Sequence, residues 1–239
     1  MSTTATSMSR PTSVYATPAF WERFWRSSGI QAAGLFVIAY VVVGSQPRIG
    51  ASNDVLVAFY DGDRIRVLVA AILSGLAVLN LLWFAAALRA TLADRGQDGW
   101  GAAATAASAM FGALLLLQTA VGSALAYTIA GSQDHSLVSG LNAFAWTLGV
   151  LSSFPRAMLI MSGAFGLWRA GLISNALFAA GVALVVLGVL GGTTWFGDGI
   201  WAPDGAYSRL VSPLLLLFWI LVVSRVLLSR ALATRDGWW

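Results

Sequence analysis

The 239-residue chain has no cysteine and no lysine, and only one histidine and one glutamate. Without cysteine there can be no disulfide, thiolate nucleophile, thioether-linked haem or Cys-bound metal. Without lysine there is no amine for a Schiff base with retinal or pyridoxal phosphate. The lone His135 sits in the polar segment "GSQDHS", so bis-histidine haem ligation and an HExxH zinc site are impossible. Its loop position also argues against a Ser/His hydrolase. Glu22 precedes the first apolar run, and no run carries an acid in its middle. The carboxylate on which proton-coupled carriers usually rely is therefore missing. There is no Walker A loop, no GxSxG elbow and no pair of Asp-rich magnesium motifs. No cofactor and no metal are expected.

Charge is scarce as well. Charged residues make up 10% of the chain and hydrophobic ones 58%, where soluble domains carry about 25% charged residues. Mean hydropathy is +0.78. Such a chain cannot cover its surface with polar groups and belongs in a bilayer. All fourteen basic residues are arginine, for a net charge of +4. That usage fits a GC-rich bacterial coding sequence as well as any selection for guanidinium groups.

Six apolar runs, 28–44, 66–88, 102–130, 137–168, 175–192 and 210–229, are each near the roughly 20 residues that a bilayer crossing requires. They predict an all-α polytopic membrane protein, a bundle of six transmembrane helices over 19–231. A disordered Ser/Thr-rich tail over 1–18 precedes it, and a cytoplasmic tail over 232–239 follows. The first run is not read as a signal peptide, because its basic lead is too long and no A-x-A site follows. In "AFWERFWRSSG", Phe20/Phe24 and Trp21/Trp25 recur four apart and Glu22 can pair with Arg26. With a span following at once, this is an interfacial helical turn and not a nucleic-acid platform. With the N-terminus inside, Arg10, Arg23, Arg26, Arg89, Arg95, Arg169, Arg225, Arg230 and Arg235 face the cytoplasm, against Arg48, Arg64, Arg66 and Arg209 outside. Nine against four predicts an N-in/C-in protein of the cytoplasmic membrane. "YDGDRIR" before the second run and "PDGAYSR" before the sixth, each run ending near a "DGW", form a weak echo that shared turn grammar explains.

Few polar groups remain inside the runs: Asn80, Gln118, Asn142, Ser152, Ser153 and Arg156. Taken singly, the amides and hydroxyls read as interhelical hydrogen bonds, worth about 0.6 kcal/mol each. Gly188 and Gly192, a small-xxx-small pair, read as close packing. Arg156 differs, because it cannot shed its charge. It follows Pro155, which is expected to kink one helix and to free the Leu151 carbonyl. Arg156 lies about 20 Å from the inner end at Arg169, too far for easy snorkelling, and a central charge costs at least about 2.5 kcal/mol. Its helical neighbours Asn142, Gly149, Ser152, Ser153, Ile160 and Gly163 form a small-and-polar face, opposite Val150, Phe154, Met158, Met161 and Phe165. Arg156, with Ser152, Ser153, Asn80, Gln118 and Asn142, is the candidate site: an unneutralised cation facing inward beside a polar cavity.

A second constellation lies in the outer segments "FYDGDRIR" and "FGDGIWAPDGAYSR". Asp61, Asp63, Asp198 and Asp204 could ligate calcium, but their spacing matches no EF-hand, and Arg64, Arg66 and Arg209 interleave with them. Local Asp/Arg pairs, with no metal, are the expectation.

The run "GLWRAGLISNALFAAG" followed by "GGTTWFGDGIWAPDGAYSR" resembles a group of uncharacterised six-span bacterial membrane proteins, a domain-of-unknown-function family. The resemblance covers Phe20 to Arg230. It implies the six-span fold and no activity, cofactor or catalytic residue.

The expected function is that of a non-catalytic membrane protein that binds a lipid or amphipathic anion or accompanies another membrane component. A transporter or permeability factor and a lipid-modifying enzyme are the alternatives. Membrane lipids are the expected partners; a further membrane protein or a second copy is left open, and nucleic acid is not a partner.

Overall fold

The computed structural model describes residues 24–132 and 134–233. Every regular element among them is helical: α1 (Ser28–Val43), α2 (Asn53–Val57), α3 (Arg64–Ala93), α4 (Asp98–Ala124), α5 (His135–Leu151), α6 (Ser153–Arg169), α7 (Asn175–Gly191) and α8 (Ser212–Ala233), with short π and 3₁₀ turns between them. The expected tail over 1–18, the Phe20–Glu22 part of the interfacial turn and most of the tail over 232–239 lie outside the described residues.

Four continuous stretches, Arg64–Ala93, Asp98–Ile129, His135–Arg169 and Tyr207–Ser229, are long and apolar enough to cross a membrane. Ser28–Val43 and Asn175–Gly191 are shorter apolar helices. The ends have local causes. α3 runs five residues past its apolar run, through good helix formers, and stops at Gly96, whose φ of 70° only glycine adopts without strain. There Gln97 N–H reaches the Leu92 carbonyl at 2.8 Å and Gly96 N–H reaches Ala93, the two bonds of a Schellman cap. Gly171 ends α6 in the same way, with Leu172 N–H on the Leu167 carbonyl. Asp134 caps α5 and Ser174 caps α7 through side-chain oxygens.

α6 is the central helix, with Arg156 and most of its other residues buried. Small residues let its neighbours approach. Gly166 faces Leu92 and Trp100, Gly163 faces Trp219, and Ala164 meets Gly181 of α7. α3 packs along both α1 and α4, and α6 lies against α4 and α7.

The buried side chains form two separate cores. One holds Leu81, Phe84, Leu88, Phe111, Leu159, Ile160, Trp219 and Ile220, toward the end of the bundle where α3 and α6 stop. The other, at the far end, gathers Leu56, Phe59, Tyr60, Val67, Leu125 and Val138. The far core exists because α3, α4 and α5 outrun their neighbours. His135–Arg169 spans 35 residues, about 52 Å, whereas the 17 residues of α7 reach only about 26 Å.

The opposite stripe on α5–α6, suited to lipid or to apolar packing, divides between the two: Phe154 and Met158 are exposed and Val150 is buried. Phe165 is also packed, stacked on Trp100 at 5.2 Å and edge-on to Phe178 at 4.9 Å. The helices α5 and α6 are separated by a break at Ser152.

Candidate functional site

Pro155 explains the break. It has no N–H, and its ring crowds the carbonyl four residues back, so the helix opens one turn earlier. The carbonyls of Gly149 and Ser152 turn inward. Arg156 takes both. Its Nε donates to the Ser152 carbonyl at 3.1 Å, and its Nη2 donates to the Gly149 carbonyl at 3.0 Å and to Ser153 Oγ at 3.0 Å. Its guanidinium carbon lies 5.9 Å from the Phe111 ring centre. Among the described residues Nη1 has no hydrogen-bond partner and Arg156 has no ion pair, although the residue is only 7% exposed.

The helices that flank the arginine are shorter than the stretch that carries it. A Cβ on Gly188 would stand 3.2 Å from Ala157 Cβ, and one on Gly191 would stand 3.0 Å from Ser153 Oγ and 3.3 Å from Ser212 Oγ. The last turn of α7 and the first of α8 are therefore level with Arg156. The arginine lies in the first turn of α6, close to the far ends of these two flanking helices, while its guanidinium faces Phe111, midway along Asp98–Ile129.

Arg156 lines a cavity of about 410 Å³ between the two cores. Gln118 and Ser152 line it too. The Gln118 amide stands over Gly149, with Nε2 3.5 Å from where a Cβ would be. It has no hydrogen-bond partner among the described residues, so two unsatisfied donor groups, Arg156 Nη1 and the Gln118 amide, belong to one patch of wall. Ser152 is less available, since its hydroxyl donates to the Gly149 carbonyl at 2.6 Å. Ser153 holds Arg156 and is not part of the wall.

Two of the expected site residues lie elsewhere. Asn80 donates to the Leu76 carbonyl of its own helix at 2.9 Å and does not reach the cavity. Asn142 is buried at the far end, accepting from Tyr60 Oη at 2.8 Å and donating to the Arg48 carbonyl at 3.2 Å. Its position about four turns before Arg156 puts it on the same face but too far along the axis.

The outer constellation does not form one cluster. Asp63 pairs with Arg66, as expected. Asp204 instead accepts the Ile49 N–H at 3.0 Å, and Asp198 precedes the turn Gly199–Trp201. Asp61 stands across from Gly131. Arg64 lies over the Tyr127 ring at 4.6 Å. Arg209 turns inward, away from Asp204: it lies 4.9 Å from the Trp146 ring centre, donates to the Gln46 carbonyl and lines the cavity. Asp204 sits within the turn Ala202–Gly205 and Arg209 in the helical turn that follows, so the two face different ways. No group of three potential metal ligands is present among the described residues.

Residues 46–49 form a strap over the far end of the cavity. The Gln46 carbonyl accepts from Arg209, Pro47 from Trp146 Nε1 at 2.9 Å and Arg48 from Asn142, while Ile49 N–H donates to Asp204. Each of four consecutive residues is tied down. Beneath the strap, burial pushes the Tyr60 phenol up to about 12, against a smaller opposing effect of the hydrogen bond from Gln46. Tyr60 is thus a neutral donor. Tyr60, Gln46 and Trp146 carried no signal in the sequence, since Tyr60 and Gln46 flank apolar runs and Trp146 reads as one more apolar residue inside one.

The wall of the cavity contains two arginines and no aspartate, glutamate or histidine. It can hold an anion; it offers no base to activate the hydroxyls of Ser152, Ser208 or Tyr60. Comparison with protein-family models, curated proteins and solved structures gives no match.

Proposed function

We propose that this is a six-span, N-in/C-in protein of the cytoplasmic membrane that binds an amphipathic anion in the cavity beside Arg156. The observation that carries the reading is a buried arginine with a free Nη1, in a wall with a second arginine and no acid. A cation this far from water costs several kcal/mol unless an anion meets it. The hydrophobic remainder of the wall, with Phe36, Leu115, Leu216 and Leu217, suits a ligand with an apolar part. Absence of an acid or histidine from the wall favours binding over catalysis. The packed core of Phe111, Leu159, Ile160 and Trp219 beneath the cavity favours retention over passage.

The six-span topology rests on the arginine bias and on the two shorter helices, which at about 24–26 Å approach the roughly 30 Å core closely enough for slight local thinning. The same topology is what the likeness of 166–181 and 191–209 to the six-span bacterial group implies.

Native mass spectrometry of the full chain, released from mild detergent, tests the reading. Wild type should retain an anionic amphiphile that Arg156→Gln and Gln118→Leu lose while remaining folded. Equal retention by wild type and a folded Arg156→Gln variant would refute it. Gln118→Leu removes no protein hydrogen bond, so it keeps the test valid if Arg156→Gln does not fold.

A further inference from the structure

We infer that the cavity is loaded sideways from the membrane, through a mouth between α1 and the Tyr207–Val211 turn leading into α8, and that its ligand is a single-chain amphiphile with an anionic head. This rests on the binding reading above. Three boundaries of the cavity lead to it.

The far end is covered by the strap, whose residues 46–49 are bonded on one side to α5 and on the other to Asp204 and Arg209. The opposite end is floored by Phe111 and Leu216, which belong to the larger core. The side is different. Val37 and Tyr40 of α1, Leu210 of the turn and Leu214 of α8 all line the cavity, yet they are 48, 48, 47 and 57% exposed. Side chains that line a cavity and also face outward mark its opening. This opening is apolar except for the Tyr40 hydroxyl, and it lies on the flank of two apolar helices. A water-soluble anion would find its way barred by the strap; an amphiphile in the outer leaflet would meet the mouth directly.

Size and charge narrow the ligand. Ligand sites run from about 300 to 1,000 Å³, and a cavity of about 410 Å³ is near the lower limit. It holds one head group and the first part of one chain, whose remainder lies along Val37, Leu210 and Leu214. The head meets Arg156 Nη1 and the Gln118 amide, two donors suited to the oxygens of a carboxylate or phosphate monoester. Arg209 adds positive potential from the strap end, but its Nε is enclosed and unbonded, so it does not offer its full fork.

The full chain in phosphatidylcholine nanodiscs, exposed to a diazirine-bearing palmitate and mapped by mass spectrometry, tests this. Wild type should be labelled on α1 and α8. Val37→Trp combined with Leu214→Trp, at two exposed positions, should lower labelling about tenfold, whereas Tyr40→Ala, which widens the mouth, should raise it. The diazirine alcohol should label weakly, and excess butyrate should not compete. If Arg156→Gln loses labelling but neither mouth variant changes it, or if butyrate competes fully, the side mouth is wrong while anion binding stands. If the alcohol labels as strongly as the acid, or Arg156→Gln labels like wild type, the anionic head and the binding reading both fall. A phosphate monoester analogue that displaces palmitate would identify phosphate, and not carboxylate, as the preferred head.

Discussion

Arg156 donates to the carbonyl of Gly149, seven residues earlier, and so bridges the break that Pro155 opens between α5 and α6. The charge is partly a staple. Arg156→Leu removes the side-chain hydrogen bonds to the Gly149 and Ser152 carbonyls and to Ser153 Oγ, at about 0.5–1.5 kcal/mol each, while the two carbonyls keep the Ser152 hydroxyl and the backbone N–H of residue 156 as donors. Arg156→Gln restores one such bond. Thermal melts in detergent should therefore rank wild type above Gln and Gln above Leu. Equal melting of Leu and wild type would show that the staple contributes nothing.

Gly149→Ala separates folding from binding. A Cβ there would rest at ordinary contact distance, 3.5 Å, from Gln118 Nε2, so nothing must move. Replacing a helical glycine by alanine adds up to about 1 kcal/mol. The melting temperature should hold or rise, while the methyl occupies the space where Gln118 and Arg156 would share an anion. Ligand retention in native mass spectra should fall. A variant that is more stable and fully loaded would remove Gln118 from the site.

Tyr60 predicts behaviour in alkali. Its pKa is raised from 10.0 to about 12, so the neutral phenol is favoured in the folded state. The resulting stability is fully present below pH 10 and is lost as pH rises through 12. A shift of this size is worth about 2–3 kcal/mol. Tyr60→Phe should melt lower than wild type near neutrality, because Asn142 Oδ1 loses its donor, yet change less between pH 8 and pH 11. Parallel pH profiles for the two proteins would contradict this.

Most helix limits were legible in the sequence because hydropathy and glycine stops are local. The run from Leu137 to Trp168 differs from His135–Arg169 by only a few residues. The inward turn of Arg156 was legible too, since Ser152, Ser153 and Gly163 lie on its helical face. Where α7 and α8 end relative to α6 was not, because it is set by Gly188 on Ala157 and Gly191 on Ser212, contacts between helices distant in sequence. The fate of Arg209 was hidden for the same reason. Asp204 is nearer along the chain, but the Trp146 ring and the Gln46 carbonyl meet the guanidinium in space.

Topology can be mapped cleanly because the chain has no cysteine. Ala202→Cys, in the loop between α7 and α8, should react with an impermeant maleimide in intact cells. Gln97→Cys, between α3 and α4, should react only after the membrane is opened. Labelling of the second in intact cells would overturn the N-in/C-in assignment.

The strap makes the last prediction. Gln118→Cys places a thiol on the cavity wall, beneath the four bonded residues 46–49. A charged, water-soluble thiosulfonate should modify it slowly when the strap is intact. Asp204→Ala removes the acceptor for Ile49 N–H, and Trp146→Phe removes the donor to Pro47 while keeping a ring beneath Arg209. Each lost bond costs about 1 kcal/mol, so the two together should raise the open population of the strap roughly tenfold or more. The modification rate should rise by a similar factor, with Ala202→Cys as the freely reacting reference. If Gln118→Cys already reacts as fast as Ala202→Cys with the strap intact, the cavity is open to water from above and the strap is no lid.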